Sequence, residues 1–280
     1  MIDLHTHSTV SDGSDPPGRI PEMAAAAGCR AVALTDHDSL AGVEEARVRA
    51  GELGIGFVPG CEISCRSPGS GSMHVLVYFV EDDDRPLAAE LEALRADRHR
   101  RNLTLADRLG QLGLPITYDE VRAAAGSEAG MGRPHFAQVL VANGAADSIQ
   151  DAFDRYLAAG RPGYVAKSRL EGPDVARMAR ASGGVTVLAH PFSLGLDGPE
   201  LANTIEALAA AGFDGIEAFY GRYRPEQRAA LADLARRFGL VATGGSDYHG
   251  VVKPDLAVGT GHGDLKVPDS VLDALENRRP

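Results

Sequence analysis

Nine histidines and a scatter of acids stand where their types and spacing could hold metal ions. Near the amino terminus, Asp3-Leu4-His5-Thr6-His7-Ser8 sets two imidazoles one residue apart. Side chains of an extended segment alternate with period two, so His5 and His7 point to one face. Two neutral imidazoles on one face suit a borderline cation such as Zn²⁺, Mn²⁺ or Fe²⁺. Asp12 follows in Ser11-Asp12-Gly13, and Thr35-Asp36-His37-Asp38 sets a histidine between two acids. Glu62, His74, His190 before Pro191, and the pair Asp247 and His249 in Ser246-Asp247-Tyr248-His249 complete the set. Each has an ordinary reading alone: HxH occurs in satisfied cores, Asp12 suits a turn, and Asp36 or Asp38 could cap a helix. Together they are the nitrogen and oxygen donors of a site for several divalent ions.

Short apolar runs and amphipathic stretches must position these groups. Strands are expected at Ile2–His5, Ala31–Thr35, Gly56–Pro59, His74–Val80, Val185–Ala189, Gly215–Phe219 and Leu240–Thr243. Helices fall between them: Ser39 is expected to cap Leu40–Leu53 before Gly54, and Pro225 opens a helix through Phe238 before Gly239. This is the pattern of an α/β domain with parallel strands, which places its site at the strands' carboxyl ends. His5, His7, His37, His190 and His249 map to such ends, with His74 at the start of its strand, while His99 and His262 read as solvated.

The alternation stops between His99 and Arg169, where Arg95–Gly113, Asp119–Gly126, Pro134–Asn143 and Ile149–Ala159 read as helices. Residues 99–169 are therefore expected to form an inserted helical subdomain, splitting a β/α domain of residues 1–98 and 170–280. The Ser/Gly-rich Ser67–Ser72 reads as a mobile loop.

The whole chain of 280 residues carries 28 basic and 39 acidic side chains, a formal charge of −11. The insertion holds nine Lys/Arg and seven Asp/Glu, a net of +2, leaving −13 for the rest. An acidic balance argues against duplex DNA as a partner, which needs a broad basic face. No apolar run approaches the ~18 residues of a membrane span, and no secretory signal opens the chain. Three cysteines (Cys29, Cys61, Cys65) without CxxC spacing fit reduced thiols and a cytoplasmic location, with Cys61 expected to be buried. Oligomeric state leaves no mark in the sequence.

In order, DLHTHS, SDG, TDHD, CEIS, a following His, AHP and GSDYHG make the chain similar to the PHP family, named for polymerase and histidinol phosphatase. The resemblance implies an α/β fold, a distorted seven-stranded (β/α)7 barrel, with a cluster of three divalent ions, Mn²⁺ favoured and Fe²⁺ or Zn²⁺ possible. It would give the first ion His5, His7, Glu62 and Asp247. The second would share Glu62 and add His74 and His190. The third would take Asp12, His37 and His249. His135 is the alternative last ligand of the second ion; His190 is preferred because a strand terminus is stiffer than an inserted helix.

Such a cluster keeps a positive charge after its carboxylates are counted, so a phosphate is its natural ligand. A metal-bound hydroxide would attack phosphorus in line. Catalytic roles then fall on Asp36, His37 and Asp247, with Asp36 or an ion-bound water protonating the leaving alkoxide. Arg133-Pro134-His135-Phe136 is similar to an RPH element in small PHP members that act on nucleotides. Arg133 could grip a second phosphate through both guanidinium edges, beside His135, with Phe136 against a base. Lys167 and Arg222 are weaker phosphate candidates, as are Arg169 and Arg224.

The expected activity is a phosphoesterase acting on a small nucleotide, foremost on the 3′-phosphate of nucleoside 3′,5′-bisphosphates. Three alternatives stand beside it: a 5′→3′ exoribonuclease on short RNA, a histidinol-phosphate phosphatase, and a non-catalytic metal-binding module.

Overall fold

The computed structural model describes residues 1–81, 86–126, 131–166 and 168–280. They form two compact units, one of Met1–Leu91 with Arg169–Pro280 and one of Glu92–Ser168.

The first unit carries seven strands: β1 (Ile2–Asp3), β2 (Ala31–Leu34), β3 (Gly56–Cys65), β4 (Met73–Tyr78), β5 (Val185–Leu188), β6 (Gly215–Tyr220) and β7 (Val241–Gly245). They lie side by side in chain order in one sheet. The sheet closes nearly into a barrel, because Leu4 N–H donates to Gly244 O at 3.2 Å and Asp247 N–H to His5 O at 2.8 Å. Gly245 permits that closure. A Cβ there would stand 2.4 Å from the His5 backbone nitrogen, so any other residue would hold β7 off β1.

Both faces of β2 are buried, as expected of strands covered by helices. Ala31 and Ala33 pack with Ile2, Leu4, Val58 and Tyr78. Val32 and Leu34 turn the other way, onto Ile20 and Ala24 of α1 (Arg19–Ala26) and Ala46 of α2 (Val43–Leu53). The α2 helix starts three residues later than its sequence suggests. Ser39 Oγ accepts from Ala41 N–H at 3.3 Å, closing a local turn ahead of the helix.

One expectation fails. β4 runs antiparallel to both β3 and β5. Pro59 and Gly60 look like a strand end in sequence, yet β3 continues through them to Cys65. Pro59 is its last pairing residue with β2, and Gly60 its first with β4. Reversal of β4 brings its amino-terminal end to the carboxyl ends of the parallel strands, which is why His74 stands at the start of β4.

Ser67–Ser72 is also pinned. Gly71 and Ser72 donate to Leu194 O and Ser193 O at 2.9 and 2.8 Å. A Cβ on Gly71 would lie 2.0 Å from Ser193 O, so only glycine fits that approach.

The second unit is helical: α3 (Pro86–Gln111) enters it, followed by α4 (Tyr118–Ala125), α5 (Arg133–Ala142) and α6 (Ile149–Ala152) with a π-turn at Phe153–Leu157. Thr117 and Glu120 form a reciprocal cap on α4. Its core joins Leu105, Leu109, Val121, Met131, Phe136, Leu140 and Leu157. Among the described residues no helix is long and apolar enough to cross a membrane. Cys29, Cys61 and Cys65 are free and buried.

Candidate metal centre

Chain ends leaving β1, β2, β5 and β7 deliver His5 and His7, His37, His190, and Asp247 with His249; Glu62 comes from within β3 and His74 from β4. Glu62 pairs opposite Leu76, so His74 is its diagonal neighbour on the same face, and His74 Nδ1 lies 2.9 Å from Glu62 Oε1. Two of these residues sit in the left-handed region, His190 at φ 27° and Asp247 at φ 55°. Non-glycine residues there carry strain that the surroundings must hold. His190 is held by its own N–H, which donates to Glu217 Oε2 at 2.7 Å.

Hydrogen bonds to one ring nitrogen fix which nitrogen four of the imidazoles offer. His5 Nδ1 meets Glu217 Oε1 at 2.9 Å, and His249 Nδ1 meets the carbonyl of Asp247 at 2.8 Å. His190 Nδ1 meets Ser193 Oγ at 2.9 Å, whose proton goes to Ser72 O. His7 Nδ1 meets Ser11 Oγ at 3.3 Å, whose proton goes to Asp36. Each Nδ1 is therefore the donor, and Nε2 is the nitrogen whose lone pair a metal would take once any proton there is displaced, the arrangement that metal-ligating histidines use.

Those lone pairs converge. His5 Nε2 and His7 Nε2 stand 3.2 Å apart, both 3.4 Å from Asp247 Oδ1 and 3.3 and 3.1 Å from Glu62 Oε2. Glu62 Oε1 also lies 2.9 Å from His190 Nε2. His37 Nδ1, 3.2 Å from Glu62 Oε2, is buried and makes no hydrogen bond. Asp12 stands 3.3 Å from His249 Nε2 and 3.7 Å from His37 Nε2.

Two lone pairs at 3.2 Å repel unless a proton or a cation lies between them. The donors form three groups, each within 4.8 Å: His5, His7, Glu62 and Asp247; His37, Glu62 and His74; His7, Asp12, His37 and His249. Oxygen and imidazole donors in that number fit divalent cations of the Mn²⁺, Fe²⁺ and Zn²⁺ kind.

The charges respond to one another. Burial alone would raise the carboxyl groups of Asp12, Glu62 and Asp247, but the surrounding imidazoles, with Lys253 at Asp247, hold all three well below the usual range. Burial would lower His5 and His7; the carboxylates overcome it, lifting His5 well above its ordinary value and His7 to about 9. His37, where burial dominates, is pushed down to about 3. Without bound metal, His7 thus keeps its proton below about pH 9, and an incoming cation must displace it. Metal affinity should fall as pH drops below that value, with protons released on binding. Calorimetry in buffers of different ionisation enthalpy measures the release.

Sequence reasoning misses three supports. Glu217, fully buried in Gly215-Ile216-Glu217-Ala218-Phe219, joins His5 to the His190 backbone; its one signal is an acid inside an apolar strand, which needs a buried partner. Tyr220 Oη donates to Asp247 Oδ2 at 2.7 Å, and Lys253 Nζ lies 2.6 Å from the same oxygen. With Oδ2 so engaged, Oδ1 is turned to the histidines. Glu217→Gln should weaken metal binding about 10- to 100-fold while the protein stays folded, as loss of an imidazole-orienting carboxylate does; metal titration of the variant checks it.

Other expected residues have different tasks. Asp36 is buried and accepts from Ser8 N–H at 2.8 Å, Ser8 Oγ at 2.6 Å and Ser11 Oγ at 2.6 Å. It holds the loop behind His7 through these three contacts. Asp36→Asn should cost about 1–3 kcal/mol of stability by mismatching those donors and leave the shape of the pH–rate profile unchanged; melting curves and pH profiles test both.

Phe136 is fully enclosed in the helical core, so its ring offers no face to a base. Arg222 is paired with Asp255 at 2.8 Å and does not line the cleft. Within the helical unit, Arg133 donates to Leu157 O at 3.2 Å and lies over the rings of Phe153 and Tyr164, while His135 Nδ1 accepts from Gly132 N–H at 3.1 Å. Lys167 lies outside the described residues. Arg169 and Arg224 are exposed. His99 bonds Tyr118 and His262 bonds Asp255, both at the surface.

Above the cluster opens a cleft of about 340 Å³, lined by its outer members, Asp12, His37, Glu62, His74, His190, Asp247 and His249, together with Phe192, Ser193, Tyr220, Tyr223, Val252 and Lys253. Histidines and carboxylates gathered at the strand ends of a nearly closed barrel, under an open cleft, fit the site of a metal-dependent hydrolase, and the comparisons with known proteins make it one of phosphoester bonds. A PHP domain model matches residues 3–165, and the chain belongs to the PHP family. It is 34% identical over 247 residues to a 5′-3′ exoribonuclease of Haemophilus influenzae, covering 88% of this chain and 89% of that protein. It is equally 34% identical over 248 residues to a 3′,5′-nucleoside bisphosphate phosphatase of Chromobacterium violaceum, covering 89% and 87%. A solved structure from Bifidobacterium adolescentis, described as a metal-dependent phosphoesterase, superposes with a TM-score of 0.83 at 32% identity, covering 100% of this chain and 96% of that one.

Proposed function

We propose that this enzyme removes the 3′-phosphate of nucleoside 3′,5′-bisphosphates, using three divalent ions, Mn²⁺ favoured, in the three donor groups. The carrying observation is the convergence of His5, His7, Asp12, His37, Glu62, His74, His190, Asp247 and His249, all on the barrel unit, in a chain similar to a bisphosphate phosphatase. His190, with its Nε2 turned to Glu62, is proposed over His135 as the last donor of its group.

Ions held there would neutralise phosphoryl oxygens and acidify a bound water. The chain's own part is positional. Glu217, Ser193 and Ser11 fix the ring orientations, while Tyr220 and Lys253 fix Asp247.

Purified protein with Mn²⁺ should release phosphate from adenosine 3′,5′-bisphosphate and leave AMP and histidinol phosphate intact. Equal rates on all three would sink the two-phosphate reading. A second reading, 5′→3′ exoribonuclease on short RNA, is favoured by the Haemophilus influenzae relative. Degradation of a 5′-phosphorylated tetranucleotide to mononucleotides, faster than bisphosphate hydrolysis, would promote it.

A further inference from the structure

The cleft's wall beside His190 is aromatic, and no role assigned so far uses its Phe192 and Tyr223. Phe192 and Tyr223 line the cleft, half-buried, their rings edge to face with centroids 5.0 Å apart. Tyr223 in turn lies 4.7 Å from Tyr220, which stands 5.5 Å from the ring of His190. The wall is stiff: Phe192 N–H donates to Tyr223 Oη at 3.0 Å, and Tyr220 Oη is tied to Asp247. Val252, 59% exposed, lines the same cleft, three residues beyond His249. The chain has eight Phe, seven Tyr and no Trp, so aromatic rings left half-open beside a polar, phosphate-seeking cluster stand out from its general composition.

Such rings beside charged groups are poor partners for water or phosphate and good ones for a flat π-face, since base–aromatic stacking is favourable with every base. The wall begins within one ring of His190, so a nucleoside bound with its phosphate at the cluster can set its base against it.

We infer that Phe192 and Tyr223 form the nucleobase-binding surface of this enzyme, so that it acts on nucleotides in preference to base-free sugar phosphates. The inference rests on the phosphoesterase reading for the position of the phosphate, and it moves the base contact from Phe136 to the barrel wall. Stacking tolerates every base, so the wall selects for a base over none and discriminates weakly among the four.

The test compares each nucleotide with its base-free counterpart. With the Mn²⁺-loaded enzyme, Phe192→Ala should lower kcat/KM for adenosine 3′,5′-bisphosphate roughly 10- to 100-fold. It should leave 1-O-methylribose 3,5-bisphosphate within about twofold of the wild type. Phe192→Trp should keep the nucleotide rate, which guards against misfolding of the alanine variant. Equal losses on both substrates, or no loss on either, would overturn the wall.

Binding separates this outcome from failure of the proposed reaction. If wild-type enzyme hydrolyses neither substrate, the bisphosphatase reading fails, and calorimetry of AMP against ribose 5-phosphate still decides the wall. A preference for AMP that Phe192→Ala abolishes supports it; equal affinities in the wild type refute it.

Discussion

Replacing Asp247 with Asn should lower phosphate release by about a thousandfold or more, because a cation's charge stabilisation at phosphorus amounts to several kcal/mol. Asn is the appropriate replacement. It tolerates the left-handed backbone that Asp247 adopts at φ 55°, so the fold should survive. It removes the charge that His5 and His7 share through Oδ1, and that Lys253 meets at Oδ2. Metal analysis should then show weakened occupancy of the group containing His5, His7 and Glu62, and retained occupancy of the other two. A variant that keeps both full activity and full metal content would remove Asp247 from the site.

Glu62→Gln should be more damaging still. Its carboxylate lies within 3.3 Å of five imidazoles: His5, His7, His37, His74 and His190. It also belongs to two of the three donor groups, where Asp247 belongs to one. Loss of its charge leaves those histidines facing one another without the anion that holds them, in a buried setting where charge interactions are strong. Metal content should fall by two of the three groups, and phosphate release by more than with Asp247→Asn. Equal metal loss in the two variants would mean that Glu62 does not bridge. Circular dichroism and melting curves separate metal loss from unfolding.

The ligand types were legible because their chemistry is local. HxH on an extended segment, acids beside histidines at the ends of apolar runs, and glycine after a helix are all read within a few residues. The barrel's alternation was equally plain, since each strand is an apolar run bounded by turn residues. What failed did so for identifiable reasons. Pro59 and Gly60 carry the sequence mark of a turn, but a strand that changes partner tolerates them, and so β3 ran on and β4 reversed. Asp36 stands beside His37 in sequence, and only the fold brings Ser8 and Ser11 back upon it.

By itself, then, the sequence determined which side chains could bind metal and that they would meet at the carboxyl ends of parallel strands, because residue type and short-range periodicity suffice for that; the barrel followed from the family resemblance. The tertiary structure alone decided which nitrogen His5, His7, His190 and His249 offer, which carboxylate is shared, and which residues brace the site. Glu217, Tyr220 and Lys253 act on His5, His190 and Asp247, and Glu217 is 212 residues from His5. Phe136 packs the helical core while Phe192 lines the cleft, a difference of burial. Contacts across such separations depend on how the chain closes, which no spacing in the sequence records.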